Sequence, residues 1–206
     1  TSVTQLKQLS QKSVTIQKSE ITFAKPKFLK AQEEKLTNAQ KGTLIHLCMQ
    51  HLQENIQYDL KKVRELIQDL VQKEIITANE AENINPYPIL QFTKSSIWKQ
   101  LQQAKKIEKE KAFYIQIPAK EIYGQEVAEW ILVQGIIDLY YQDENGKLVL
   151  VDYKTDYVEK DGEQELISKY GKQLQLYQYA LEEAMNQKVE KSYIYSTYLG
   201  KELEVK

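Results

Sequence analysis

Two acids and a lysine carry the chemistry that this sequence offers. Asp138 closes the apolar run "QGIID", and Asp152 and Lys154 stand in "KLVLVDYKTD". Strand interiors ordinarily exclude ionised side chains, so acids at the ends of two neighbouring apolar runs point to a site rather than a core. The connecting "DENGK" sets their relation. A three-residue loop, Glu144-Asn145-Gly146, takes a type I turn with Gly146 in the left-handed region. Asp143 then pairs with Lys147, Asp138 stands opposite Asp152 on one face, and Lys154 follows two residues on. A two-residue Asn-Gly loop would instead put Asp138 opposite Tyr153 and part the acids. The first register is preferred because it accounts for acids in both strands. Opposed carboxylates repel. A divalent cation offsets that repulsion, and Mg²⁺ takes one or two carboxylates with water and phosphate oxygens. The flanking positions are apolar on both sides: Ile136, Leu148 and Leu150 on one, Ile137, Leu139, Val149 and Val151 on the other. Such a sheet is covered on both faces, with the acids at its mouth.

Other candidates are fewer. His46 lies at the edge of a helical apolar stripe, with Gly42 one turn earlier clearing room beside its ring; His51 on the same helix has no such context. Gln173 and Tyr177 stand four apart on a long helix and so share a face, from which they could reach a phosphate or orient a carboxylate. Glu110, just before the first expected strand, is a lesser candidate.

These residues need a scaffold of helices followed by strands. Thr37 and Gln40 have capping-box spacing ahead of a helix whose stripe is Ile45, Cys48, Met49, Leu52 and Ile56. Helical patterns continue through "DLKKVRELIQDLVQKEIIT" and "NEAENI". "NPYPILQF" breaks the pattern with two prolines. "SSIWKQLQQAKKIEKE" reads as a further helix, capped by Ser95 or Ser96. "AFYIQIPA", "VAEWILVQGIIDLYY" and "KLVLVDYK" read as strands, "GEQELISKYGKQLQLYQYALEEAMNQ" as a long amphipathic helix and "EKSYIYSTYL" as the last strand. The order reads as an α/β or α+β architecture, α/β being preferred, with a helical insertion before the sheet. Residues 1–36 read as a short helix and a loop or arm, and 37–206 as the main domain: helical over about 37–109, sheet and helix over about 110–206.

Composition bounds the function. The 206 residues are 42% hydrophobic, enough for a core, and the net charge of −1 gives no general basic field for nucleic acid or anionic membrane. Fourteen tyrosines against four phenylalanines fit ordinary core and rim usage. The single cysteine, Cys48, excludes a disulfide framework and a four-cysteine iron–sulfur or zinc site within the chain and fits a reducing, cytoplasmic setting. No apolar run is long enough to span a bilayer. The chain begins at Thr1 without Met, as a processed chain or a piece of a longer one would.

"GIID", then "VDYKTD", then "QLQLY" resembles the RecB-family nucleases of the PD-(D/E)XK superfamily. "SVTQLK", "GTLIHLCMQHL" and "IYSTYLG" narrow the likeness to the nuclease domains of AddAB-type helicase–nucleases, over nearly the whole chain. The resemblance implies a restriction-endonuclease-like core, a central mixed β-sheet flanked by helices. It implies that His46, Asp138, Asp152 and the Tyr153 carbonyl ligate Mg²⁺, a site that Mn²⁺ or Ca²⁺ can also occupy, and that Lys154 is the catalytic lysine. Gln173 and Tyr177 match the family's helix motif near DNA, and Glu110 a less constant acidic position. The expected activity is Mg²⁺-dependent exonucleolytic cleavage of DNA to 5′-phosphate and 3′-hydroxyl ends, in double-strand break repair and recombination. The partners implied are DNA, a helicase part of the same longer chain and a second, AddB-like subunit. Cysteines for the iron–sulfur cluster of some relatives are lacking, as is a Walker-type loop. A non-catalytic DNA-binding module that keeps the nuclease fold, and a metal hydrolase acting on nucleotides or RNA, are the alternatives.

Overall fold

The computed structural model describes residues 36–118, 130–159 and 162–205. The arm expected over residues 1–36 lies outside them, apart from Leu36. Among the described residues five helices come first: α1 (Asn38–Gln50), α2 (Leu60–Gln72), α3 (Ala78–Glu82), α4 (Pro86–Phe92) and α5 (Ser96–Leu101). Strands β1 (Lys106–Pro118), β2 (Trp130–Gln142) and β3 (Leu148–Lys154) follow, then helix α6 (Glu163–Met185) and strands β4 (Val189–Ser196) and β5 (Lys201–Val205). The sheet order is β1-β2-β3-β4-β5, with β3 and β4 parallel and the other pairs antiparallel. Parallel neighbours need a long crossover, which α6 supplies.

The local chemistry explains most boundaries. Thr37 and Gln40 form the expected capping box, and Ser95 is the cap of α5, accepting from Trp98 N. α1 stops at Gln50, so Leu52 is buried beyond the helix and Ile56 is only partly covered. The two prolines do not break the chain. Pro86 sits in the first turn of α4, where the missing N–H has no partner to lose, and Asn85 caps that turn. The helix expected to run to Glu110 ends at Leu101, because Lys106–Glu110 already belong to β1. The expected last strand ends at Ser196, and Gly200, at φ +67°, turns the chain into a further strand, β5, beyond the expected stretch.

From the second half of β2 through β4 the sheet is covered on both faces, while Trp130, Leu132 and Ile136 of β2 are exposed. α1–α5 pack on one side with Leu139, Tyr141, Val149, Val151 and Tyr153, while α6 packs on the other with Val133, Ile137, Leu148, Leu150 and Ile194. Along β2 the odd-numbered residues change sides between Ile137 and Leu139. The expectation that Ile136 joins Leu148 and Leu150 is therefore corrected: Ile137 does so, and Ile136 is exposed. The slip falls where the β1–β2 ladder skips the Glu110–Asp138 pair and Glu110 adopts φ +51°. A non-glycine residue in the left-handed region interrupts the pleat, and such strain is concentrated at functional sites.

Candidate metal and active site

The hairpin takes the three-residue loop. Asp143 N donates to Lys147 O at 2.9 Å, Gly146 N donates to Asp143 O at 2.9 Å, and Gly146 has φ +81°. The β2–β3 ladder runs from Gln142–Leu148 to Leu139–Val151, so its next position would pair Asp138 with Asp152. The ladder stops there because a side chain takes over: Asp138 Oδ2 accepts from Tyr153 N at 2.7 Å. The strands splay at the acids.

Three elements meet at that splay. His46 Nδ1, from α1, lies 3.7 Å from Asp138 Oδ1. Glu110 of β1 faces Asp138 at the skipped position of the ladder, and one ligand atom each from His46, Glu110 and Asp138 lies within 4.8 Å of the others. Glu110 thus lies within a strand rather than ahead of one. Lys109 fixes the distance between α1 and β1, its Nζ reaching the carbonyl of Leu52 and Glu54 Oε1 at 2.5 Å each. Gly42 serves a purpose other than the one expected. A Cβ there would meet Thr155 Oγ1 at 2.5 Å, so the glycine admits the end of β3 against α1 rather than clearing space at the His46 ring. That ring packs edge-on against Tyr153 at 5.6 Å.

Asp152 and Lys154 form the second half. Asp152 is buried, and Lys154 Nζ lies 2.5 Å from its Oδ2, with side-chain exposures of 12% and 3% for lysine and acid. The contact is one of charge, since Oδ2 has no aligned hydrogen bond. The ammonium also sits over the Tyr170 ring, 4.4 Å from its centroid. Tyr170 OH in turn donates to Asp156, at 2.8 Å from each carboxylate oxygen. Gln173 and Tyr177 meet each other, Nε2 donating to the hydroxyl at 2.8 Å, and Tyr177 is buried against Phe113.

The electrostatics follow from crowding acids in a dry place. Burial pushes Asp152 up to about 6; the Lys154 charge opposes this and the Asp138 charge adds to it. Glu110 is raised first by burial and then by Asp138. Burial alone would lower His46, but the Asp138 carboxylate outweighs it and holds the imidazole above its ordinary 6.5. Burial, with the charge of Asp152 next, pushes the Tyr177 hydroxyl well up. Acids kept ionised against such penalties call for a cation. One imidazole among carboxylate oxygens suits a hard divalent ion such as Mg²⁺ or Mn²⁺.

A mixed sheet between helical layers, carrying Asp138 on one strand and Asp-x-Lys on the next, defines a nuclease fold. The model of the PD-(D/E)XK nuclease superfamily matches residues 9–205, and the chain belongs to that superfamily. Within it, the chain is similar to ATP-dependent helicase/nuclease subunits of several bacteria. The Clostridium perfringens protein is 34% identical over 200 residues, 91% of this chain. The Thermoanaerobacter sp. protein is 36% identical over 212 residues, 98% of this chain, and that of Clostridium botulinum 38% over 186 residues, 85% of it. The chain spans only 15%, 17% and 14% of the length of those three relatives. Among the described residues no helix is long and apolar enough to cross a membrane.

Glu110, the lesser candidate in the sequence, is one of the three clustered groups. Its signal was present: an acid in "KIEKEKAFYIQIP" that must face the Asp138 strand once the strand is known to start at Lys106.

Proposed function

We propose that the chain is the metal-dependent DNA nuclease domain of an ATP-dependent helicase–nuclease that acts in double-strand break repair and recombination, with residues 37–206 forming the domain. The observation that carries this reading is the meeting of His46, Glu110 and Asp138 beside the Asp152–Lys154 pair. His46, Asp138, Asp152 and the Tyr153 carbonyl would hold Mg²⁺, with Glu110 as a further ligand. A bound divalent cation supplies charge to the scissile phosphate and a water acidified near neutrality. The chain's own groups do the rest. The Tyr153 N–H fixes Asp138, and the Asp138 carboxylate keeps His46 turned toward the acids. Lys154, held between Asp152 and the Tyr170 ring, places a compact positive charge where the pentavalent phosphate develops negative charge, and its ammonium positions the attacking water. Gln173 and Tyr177 support the floor of the site from α6. The helicase portion of a longer chain would deliver the strand, and a second, AddB-like subunit would complete the complex. Delivery by a motor fits a net charge of −1, since the domain then needs little affinity of its own for DNA.

Linear single- and double-stranded DNA, incubated with and without Mg²⁺, test the proposal. Cleavage that requires the ion and leaves 5′-phosphates supports it. Binding without cleavage in any divalent ion would favour a non-catalytic DNA-binding module, and cleavage of RNA or nucleotides alone would favour another hydrolase.

A further inference from the structure

Tyr157 and Tyr198 are 71% and 52% exposed, yet their rings touch edge to face with centroids 4.8 Å apart. They come from separate loops. Tyr157 follows β3, three residues past Lys154, which is roughly 10 Å of extended chain at most. Tyr198 sits in the turn between β4 and β5. Both loops are pinned to the catalytic strand. Thr197 N donates to Lys154 O at 2.9 Å, and the turn closes with Gly200 N on Ser196 O at 2.8 Å. Asp156, next to Tyr157, is held by Lys169 and by Tyr170, the ring that carries the Lys154 ammonium. The two rings thus stand just past the ends of the parallel strands, within a few residues of Lys154 and tied to its backbone.

We propose that Tyr157 and Tyr198 form a stacking platform for a base of single-stranded DNA within one or two nucleotides of the phosphate at Lys154. The proposal rests on the nuclease reading and deepens it. Aromatic rings offered to solvent from ordered loops lose little entropy on binding and accept any base by its π-face. Delivery by a motor leaves the strand to be set in register at the site, and a stacked base does this without a general basic field. Bases inside a duplex are stacked and paired already, so the platform selects single strands.

Fluorescence binding in Ca²⁺ tests this, with a single-stranded oligo-dT carrying one 2-aminopurine scanned along its length. The wild-type chain should quench the probe at one or two positions. Tyr157→Leu with Tyr198→Leu should abolish that quenching and weaken single-strand binding about tenfold or more. Tyr157→Phe with Tyr198→Phe should restore both, because the ring is kept. Binding of a blunt hairpin duplex should change far less. Retained affinity and quenching in the leucine variant would overturn the platform, as would equal loss for duplex or failure of the phenylalanine variant. Mg²⁺-dependent cleavage by the wild-type chain, measured alongside, separates the two readings. Cleavage without stacking sinks the platform alone, and stacking without cleavage sinks the nuclease assignment while leaving the platform.

Discussion

Asp152→Asn should make the metal-free protein more stable, not less. Asp152 is buried, and its carboxyl titrates at about 6 instead of 3.8, chiefly because of burial. A folded-state value above the unfolded one means that ionised Asp152 disfavours folding. The group's contribution is most favourable below pH 3.8 and is lost as pH rises through about 6. The gap corresponds to about 3 kcal/mol at pH 7, at about 1.36 kcal/mol per tenfold. Asparagine keeps the shape and removes the charge, at the expense of the Lys154 ion pair. In EDTA at pH 7 the variant should gain about 1–3 kcal/mol, or about 2–4 °C in Tm per kcal/mol for a chain of this size. The advantage should shrink by about half between pH 7 and pH 5, as the wild-type carboxyl takes up its proton. Saturating Mn²⁺ should reverse the order, because only the wild type gains the full binding free energy. Urea unfolding at the two pH values, with and without the ion, measures all of this. A metal-free variant less stable than wild type at pH 7 would show that Asp152 is a structural acid, and the account of the site would fail.

Glu110→Gly should relieve the φ +51° backbone, raising metal-free stability by about 1 kcal/mol while weakening Mn²⁺ affinity at least about tenfold by calorimetry. His46→Ala should lose far more metal affinity than His51→Ala. Wild-type affinity should fall as pH drops toward and below 6.5, beginning earlier than for an ordinary histidine, because the Asp138 carboxylate holds the proton on His46. Gly42→Ala should cost about 1–3 kcal/mol through the clash with Thr155 Oγ1, and Thr155→Ala in the same chain should recover most of it in a double-mutant cycle. Lys154→Ala should slow single-turnover cleavage by about a hundredfold or more while DNA affinity in Ca²⁺ stays within a few-fold, and Lys154→Arg should rescue poorly.

What could be read in the sequence was what local chemistry dictates. The Glu144-Asn145-Gly146 loop fixed the Asp138–Asp152 register because only Gly146 takes φ +81° without strain. Thr37, Gln40 and Ser95 announced their helices by capping. Non-local features stayed hidden. The face change at Asp138 arises from Glu110 across the sheet, and no pattern within "QGIIDLYY" signals it. Gly42 answers to Thr155, more than a hundred residues away. Charged "KIEKE" lacks strand alternation because Lys109 is taken up by Glu54 and Glu110 by the cluster with His46 and Asp138, so the start of β1 reads as a continuation of the helix before it. The prolines of α4 obeyed a positional rule that their number alone obscures.

On the proposed function, one cation site made by His46, Glu110, Asp138, Asp152 and the Tyr153 carbonyl works with Lys154 to cut DNA. Single-turnover cleavage of end-labelled single-stranded DNA by saturating enzyme tests it most directly, comparing wild type with Asp138→Asn and Lys154→Ala across a Mg²⁺ titration. Wild type should show saturable Mg²⁺ dependence, and Asp138→Asn should give no detectable cleavage at wild-type-saturating Mg²⁺. Lys154→Ala should saturate at the wild-type Mg²⁺ concentration with a rate about a hundredfold lower. Wild-type cleavage that persists in EDTA, or Asp138→Asn cutting at the wild-type rate, would contradict it.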